Sequence, residues 1–221
     1  HLVGAGADGA VVAREHERQG RHLVTFEGRD LPAIDAEALV PPNVHPARWI
    51  QFTEFRDWHE VAGWAADLFR DGGTAELPGL PATAEAAERT AQALAFVQEH
   101  IRYLSISLAE NSHRPHPPGE VLDKRYGDCK DKSLLLVHWL RRQGIAADPV
   151  LVSTQYRTLE GLLPSPLLFD HAIVRAVVDG HPYYLDPTNQ RQGSRLATLA
   201  PALPGSDALV AAPATTALAR I

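Results

Sequence analysis

Arg125-Tyr126-Gly127-Asp128-Cys129-Lys130-Asp131-Lys132-Ser133, running directly into Leu134-Leu135-Leu136-Val137-His138-Trp139-Leu140, is the stretch whose reading decides the fold. It contains the single cysteine of a 221-residue chain. Gly127 permits a strained turn and Asp128 is a favoured N-cap, so a helix is expected from Cys129 to about residue 143, with no glycine or proline before Gly144. Cys129 then sits in the first turn, where free N–H groups and the positive end of the helix dipole favour an anion. Thiols beside lysines such as Lys130 and Lys132 at a helix start ionise readily, and the thiolate is the nucleophilic form. The alternative is a buried structural cysteine, since free cysteine is among the most buried residue types. From Leu134 to Leu140 the helix is apolar on nearly every side, which predicts a central helix packed on a sheet. His138 inside that run reads as a hydrogen-bonded core residue.

A nucleophilic thiol needs a base and a group that orients the base. Downstream, Phe169-Asp170-His171-Ala172-Ile173-Val174-Arg175-Ala176-Val177-Val178 places a histidine at the head of a β-prone run. Asp179-Gly180 follows, and His181-Pro182-Tyr183-Tyr184-Leu185-Asp186 reads as a second short strand ending in an aspartate. Two such runs joined by Asp-Gly form a β-hairpin. Antiparallel pairing about that turn brings the far ends together and sets Asp186 within hydrogen-bonding range of His171.

These motifs together resemble the transglutaminase-like superfamily of papain-related thiol enzymes. The resemblance rests on Tyr126-Gly127-Asp128-Cys129-Lys130-Asp131-Lys132, on Asp170-His171-Ala172 before a strand, and on Tyr184-Leu185-Asp186-Pro187-Thr188, in the order Cys, His, Asp. Upstream it extends through Val97-Gln98-Glu99-His100-Ile101-Arg102-Tyr103 and Arg114-Pro115-His116-Pro117-Pro118, so that it spans roughly residues 83 to 190. It implies an α+β papain-like core in which Cys129 is the nucleophile, His171 its base and Asp186 the residue orienting the imidazole. The chemistry implied is acyl transfer at amide bonds of a peptide or protein substrate through a Cys129 thioester. Water as acceptor gives a peptidase or amidase, slightly favoured here, and an amine gives a transglutaminase. The oxyanion donors expected are the Cys129 backbone N–H and a side chain from residues 103–113, with Tyr103 the candidate; the alternative is that Tyr103 simply packs at the helix end. No cofactor is called for. The runner-up reading is a non-catalytic peptide-binding module that keeps this fold.

The remaining sequence bounds these expectations. A net charge of −6 and the lack of any Lys/Arg-rich run argue against nucleic acid as a partner. No stretch approaches the ~20 apolar residues of a membrane span. One cysteine cannot form an internal disulfide framework. Bacterial members of the resembled family often carry export signals, which suggests a periplasmic or cell-envelope setting within a larger multidomain protein. Residues 1–56 hold short β-prone pieces, Gly9–Ala13, Arg21–Phe26 and Trp49–Phe55, and look like part of the β-rich domain that precedes such cores. Residues 57–195 are expected to form the catalytic core, and 196–221, rich in Ala, Leu and Pro, an extension toward a further domain.

Within the core, Trp58, Val61, Ala62, Ala65, Leu68 and Phe69 recur at helical spacing behind an Asp57/Glu60 capping box, with Gly72-Gly73 as the stop. At this spacing Trp58 belongs to the core and Trp64 is a partly exposed neighbour rather than a stacking platform. A second helix is expected from Thr83 to about Arg102-Tyr103, after the Pro/Gly linker of residues 78–81, and residues 108–119 read as loop. His113 and His116 lie in that loop with no cysteine or identified carboxylate partner, too sparse a set for a metal site. Their expected role is to shape the approach to Cys129. The loop of residues 154–168 is the natural place for specificity.

Overall fold

The computed structural model describes residues 2–5, 11–31, 50–70, 73, 75, 85–105, 113–190, 192 and 195–221. Among these, the helices are Trp58–Leu68 (α1), Ala86–His100 (α2), Pro118–Lys124 (α3) and Cys129–Arg142 (α4). The strands are Leu2–Ala5 (β1), Val11–Arg18 (β2), Arg21–Gly28 (β3), Ile50–Thr53 (β4), Arg102–Tyr103 (β5), Tyr126–Gly127 (β6) and Ala146–Val152 (β7). His171–Val178 (β8), His181–Leu185 (β9), Asp207–Val210 (β10) and Ala219–Arg220 (β11) complete the set.

Helix α4 is the centre of the molecule. Every residue from Lys130 to Leu140 is buried; this is expected for Leu134–Leu140, which is apolar on nearly every side, but not for the polar turn Lys130–Ser133 that precedes it. Leu135, Leu136, Val137 and Leu140 share one core with Leu94, Val97 and Ile101 at the α2 side, Val121 of α3, and Val174 and Ala176 of β8. At its start the Asp128 side chain accepts from the Lys130 and Asp131 N–H groups, and Asp131 reaches back to the Asp128 N–H, a complete capping box. Its end is equally specified. Gly144 takes a left-handed φ of 73°, its N–H donates to Arg141 and the Ile145 N–H donates to Leu140, both at 3.0 Å. Those two bonds define a Schellman motif, closed by the apolar pair Leu140 and Ile145 in the same core.

Against α4 lies a five-stranded antiparallel sheet in the order β11-β10-β7-β8-β9. The β8–β9 hairpin turns at Asp179-Gly180, with φ of 50° and 79° and Val178 opposite His181. Positive φ at both turn residues is the two-residue hairpin that Asp-Gly predicts. A central helix with the cysteine at its head, packed on an antiparallel sheet, is the α+β architecture expected. The N-terminal strands form two separate pairs, β1 with β4 and the β2–β3 hairpin.

Several local expectations change. The positive φ ahead of Cys129 belongs to Arg125 (57°), which terminates α3, and not to Gly127. Gly127 is needed for proximity instead: a Cβ there would meet the Asp131 Cβ at 2.7 Å. Helix α1 ends at Leu68 with Phe69 as its cap, short of the expected glycines; Gly72 lies outside the described residues. Its capping box is only half formed. Asp57 accepts from the Glu60 N–H at 2.9 Å, but Glu60 turns to the Arg56 N–H at 2.7 Å and to the Arg56 guanidinium. Helix α2 begins at Ala86, and both Thr83 and the 78–81 linker lie outside the described residues. Part of the expected 108–119 loop is helical, since α3 starts at Pro118, a residue suited to the first helical position. Within the stretch 196–221, β10 pairs with β7 and β11 with β10. Among the described residues no helix is long and apolar enough to cross a membrane.

Candidate active site

Of the three segments singled out in the sequence, those of Cys129 and His171 line one cleft, and that of Asp186 joins them through His171. Cys129 is half-buried at the first position of α4, and it lines a cavity of about 190 Å³ together with His171 and Tyr103. The hairpin register explains how His171 meets Asp186. Leu185 stands opposite Val174, so one further step sets Asp186 diagonal to His171 across the two strands. The His171 Nε2 and Asp186 Oδ2 atoms are 3.0 Å apart.

Asp186 is fixed from several directions. Its Oδ1 accepts from the Thr188 N–H at 2.8 Å and from the Thr188 hydroxyl at 2.7 Å. Its own N–H donates to Gln192 Oε1 at 2.7 Å, and its carbonyl accepts from Gln98 Nε2 at 2.9 Å. With Oδ1 occupied by Thr188, Oδ2 is directed to the imidazole. Thr188 carries a local signal, since an Asx turn formed two residues after an aspartate is readable in Asp186-Pro187-Thr188. Gln98 and Gln192 act from distant or irregular chain positions and have no such signal.

Electrostatics couples the groups. Burial alone lowers the His171 pKa, but hydrogen bonds to Asp186 and Cys129, with the charges of both, outweigh it and raise the value from 6.5 to about 10. Burial raises that of Asp186, and this is outweighed by His171 and Thr188, which hold it below the usual carboxylate range. Tyr103 ionises less readily than a free phenol, first through burial and then through the neighbouring Cys129 and Asp128 charges and its hydrogen bond with Cys129. Tyr103 reaches this place because β5 pairs in parallel with β6, the strand immediately before α4, and the Leu104 N–H donates to the Gly127 carbonyl at 3.0 Å.

Lys132, expected beside the thiol, instead carries its ammonium into the interior behind the site. Lys132, 2% exposed, donates from Nζ to the Ile101 carbonyl at 2.7 Å. Burial lowers its pKa to about 8 against the opposing pull of Asp186. Lys130 is buried as well and ion-paired with Asp128. The two loop histidines part company: His113 packs edge-on against Trp64 with centroids 5.4 Å apart, whereas His116 pairs through its N–H (2.7 Å) and its ring (3.2 Å) with Asp131. Among the described residues no group of three or more His, Cys, Asp or Glu is placed to hold a metal. His138 is buried and bonds through Nε2 to the Ala75 carbonyl at 2.9 Å, as a core histidine should.

Residues 78–199 match the transglutaminase-like superfamily, and the chain belongs to it. In three dimensions 99% of the chain aligns with the crystal structure of a protein from Parabacteroides distasonis described as a candidate protease, with a TM-score of 0.69 and 17% sequence identity. At that identity the likeness is one of fold. The chain spans 42% of the length of that protein. A candidate cysteine protease from Cytophaga hutchinsonii aligns with a TM-score of 0.39 and 14% identity, over 97% of this chain and 72% of the other. No curated protein matches the chain in sequence.

Proposed function

We propose that this protein is a thiol-dependent enzyme acting on amide bonds, with Cys129 as nucleophile, His171 as proton carrier and Asp186 as the residue that orients the imidazole. The observation that carries this reading is the position of His171, hydrogen-bonded to the Asp186 carboxylate at 3.0 Å on one side and in contact with Cys129 on the other. The description of the Parabacteroides distasonis protein as a candidate protease agrees with it. Nε2 is committed to Asp186, so the imidazole exchanges its proton with thiol and leaving group through Nδ1.

The Cys129 thiolate attacks the amide carbonyl carbon, forming the C–S bond and placing negative charge on the carbonyl oxygen. The Cys129 backbone N–H and the Tyr103 hydroxyl are the proposed donors to that oxyanion. The Lys130 and Asp131 N–H groups are already taken by Asp128. As the C–N bond breaks, imidazolium gives its proton to the departing amine and a thioester remains. A water molecule or a second amine then attacks the thioester, His171 takes the incoming proton, and the thiolate leaves. Transfer to water gives hydrolysis, which we favour over cross-linking.

With one cysteine in the chain, intact-protein mass reports on Cys129 without peptide mapping. Iodoacetamide at pH 6 is expected to alkylate the wild type rapidly, and His171→Ala to slow that reaction while Cys129→Ala removes both labelling and cleavage of a peptide amide. Labelling at the same slow rate in wild type and His171→Ala sinks the mechanism and favours a binding module. Adding a primary amine during turnover separates the two acceptors: an amide product with the added amine would establish transamidation.

A further inference from the structure

The wall of the cleft facing the thiol is apolar and braced. Trp64 and Leu68 lie four residues apart on α1 and so share one face. Together with Leu151 of β7 and Phe169, two residues before His171, they line the same cavity as Cys129. Trp64 packs edge-on against both Phe55 (6.3 Å) and His113 (5.4 Å), and Phe169 against Trp58 (6.0 Å). Aromatic rings held by such neighbours form a surface that is ordered before a ligand arrives.

The charged groups around the cleft are already satisfied. Lys130 is paired with Asp128. The two carboxylate oxygens of Asp170 accept from the Thr154 N–H and hydroxyl, each at 2.7 Å. An anionic substrate side chain entering here would lose its hydration without meeting a free cation, a cost of a few kcal/mol, and a cationic one would meet only the Asp170 carboxylate, whose two oxygens are already engaged. An apolar one gains roughly 25 cal/mol for each Å² removed from water. The cavity, about 190 Å³, is smaller than the roughly 300 Å³ at which drug-sized sites begin, so it fits one side chain. We infer that it seats an aromatic or branched aliphatic side chain on the acyl side of the scissile amide, with Trp64 and Leu68 as specificity-determining residues. This inference rests on the acyl-transfer reading above.

The test is the rate of Cys129 modification, followed by intact mass, with chloromethyl ketones carrying Phe, Leu, Gly, Glu or Lys side chains next to the ketone. Each rate is divided by that of iodoacetamide on the same protein. The wild type is expected to favour the Phe and Leu reagents by about ten-fold or more. Trp64→Ala should bring that preference toward unity, and Leu68→Lys should shift it toward the Glu reagent, with circular dichroism checking each fold. Equal rates for all five reagents, or a wild-type preference for a charged one, overturns the proposal. So does an apolar preference that both variants leave intact. If selectivity is absent while iodoacetamide labelling still depends on His171, only the specificity fails; if that dependence is also absent, the acyl-transfer reading fails with it.

Discussion

His171 and Lys132 are titratable groups with opposite consequences for stability. The His171 pKa is raised from 6.5 to about 10, so the folded state binds its proton more tightly than the unfolded chain. That stabilisation is fully present below pH 6.5 and is lost as pH rises through 10. The difference in urea-unfolding free energy between wild type and His171→Ala is therefore expected to narrow steadily from pH 6.5 to 10; a constant difference would contradict the coupling. Lys132 is shifted the other way, from 10.5 to about 8. Its buried charge destabilises the fold below pH 8, and the cost fades as pH climbs toward 10.5. Relative to Lys132→Met, the wild type should gain stability across that interval, whatever constant penalty follows from losing the bond to Ile101. In turnover, His171→Ala is expected to lower kcat by about 10² to 10⁴, the range for general acid–base catalysis. His171 and Asp186 were legible in the sequence because one hairpin turn fixes their relation. Lys132 was not, because lysine in a first helical turn ordinarily reaches solvent, and only the tertiary path of Ile101 gives its ammonium a buried acceptor.

Helix α4 was readable at both ends because its signals are local. Asp128 precedes the cysteine and Gly144 follows the last turn, and each acts within a few residues of itself. The role of Gly127 needed coordinates, since the Asp131 side chain that crowds it arrives by way of the capping box. Gly127→Ala places a Cβ at 2.7 Å from that of Asp131, so backbone must shift where the thiol is held. The expected result is a drop in the iodoacetamide rate larger than any loss of melting temperature explains. Gly144→Ala, at φ 73°, is expected to cost about 1–2 kcal/mol, the penalty for a left-handed alanine, without slowing alkylation. Measuring both variants separates the functional end of the helix from the structural one. Elements whose signals are weak or absent were misread. Pro115, Pro117 and Pro118 suggested continuous loop although the last opens α3. In the β2–β3 hairpin, the piece Arg21–Phe26 was readable and falls within β3, whereas Arg14 to Arg18 of β2, charged and exposed with no apolar alternation, carried no strand signal. The hairpin's turn at Gln19-Gly20, with φ of 54° and 69°, is not one of the usual hairpin dipeptides.

At the scale of the molecule, the cleft is assembled from segments far apart in the chain. Its apolar wall comes from α1, its thiol from α4 and its imidazole from β8. Loop 154–168 reaches the cleft at Pro166 and is held from outside by β4, where Gln51 donates to the Leu163 carbonyl at 3.0 Å and accepts from the Leu163 N–H at 2.9 Å. Strand β10 contributes in a less visible way. The Ala/Leu/Pro-rich sequence after residue 195 has no periodicity, yet Leu209 is fully buried with Val61 and Ala62 of α1, and Leu151 and Phe169 pack on the same cluster. A leucine in that short strand therefore anchors the helix that carries Trp64 and Leu68. Leu209→Ala should cost about 2–5 kcal/mol through lost burial and the cavity it leaves. Because the cavity opens beneath α1 and Phe169, not beneath α4, the deficit in function should fall on substrate binding. At a temperature where the variant remains folded, KM for a peptide amide is expected to rise, with little change in kcat or in the His171-dependent iodoacetamide rate. An unaltered KM, with the full stability loss measured, would show that the wall of the cleft keeps its shape without β10 as its support.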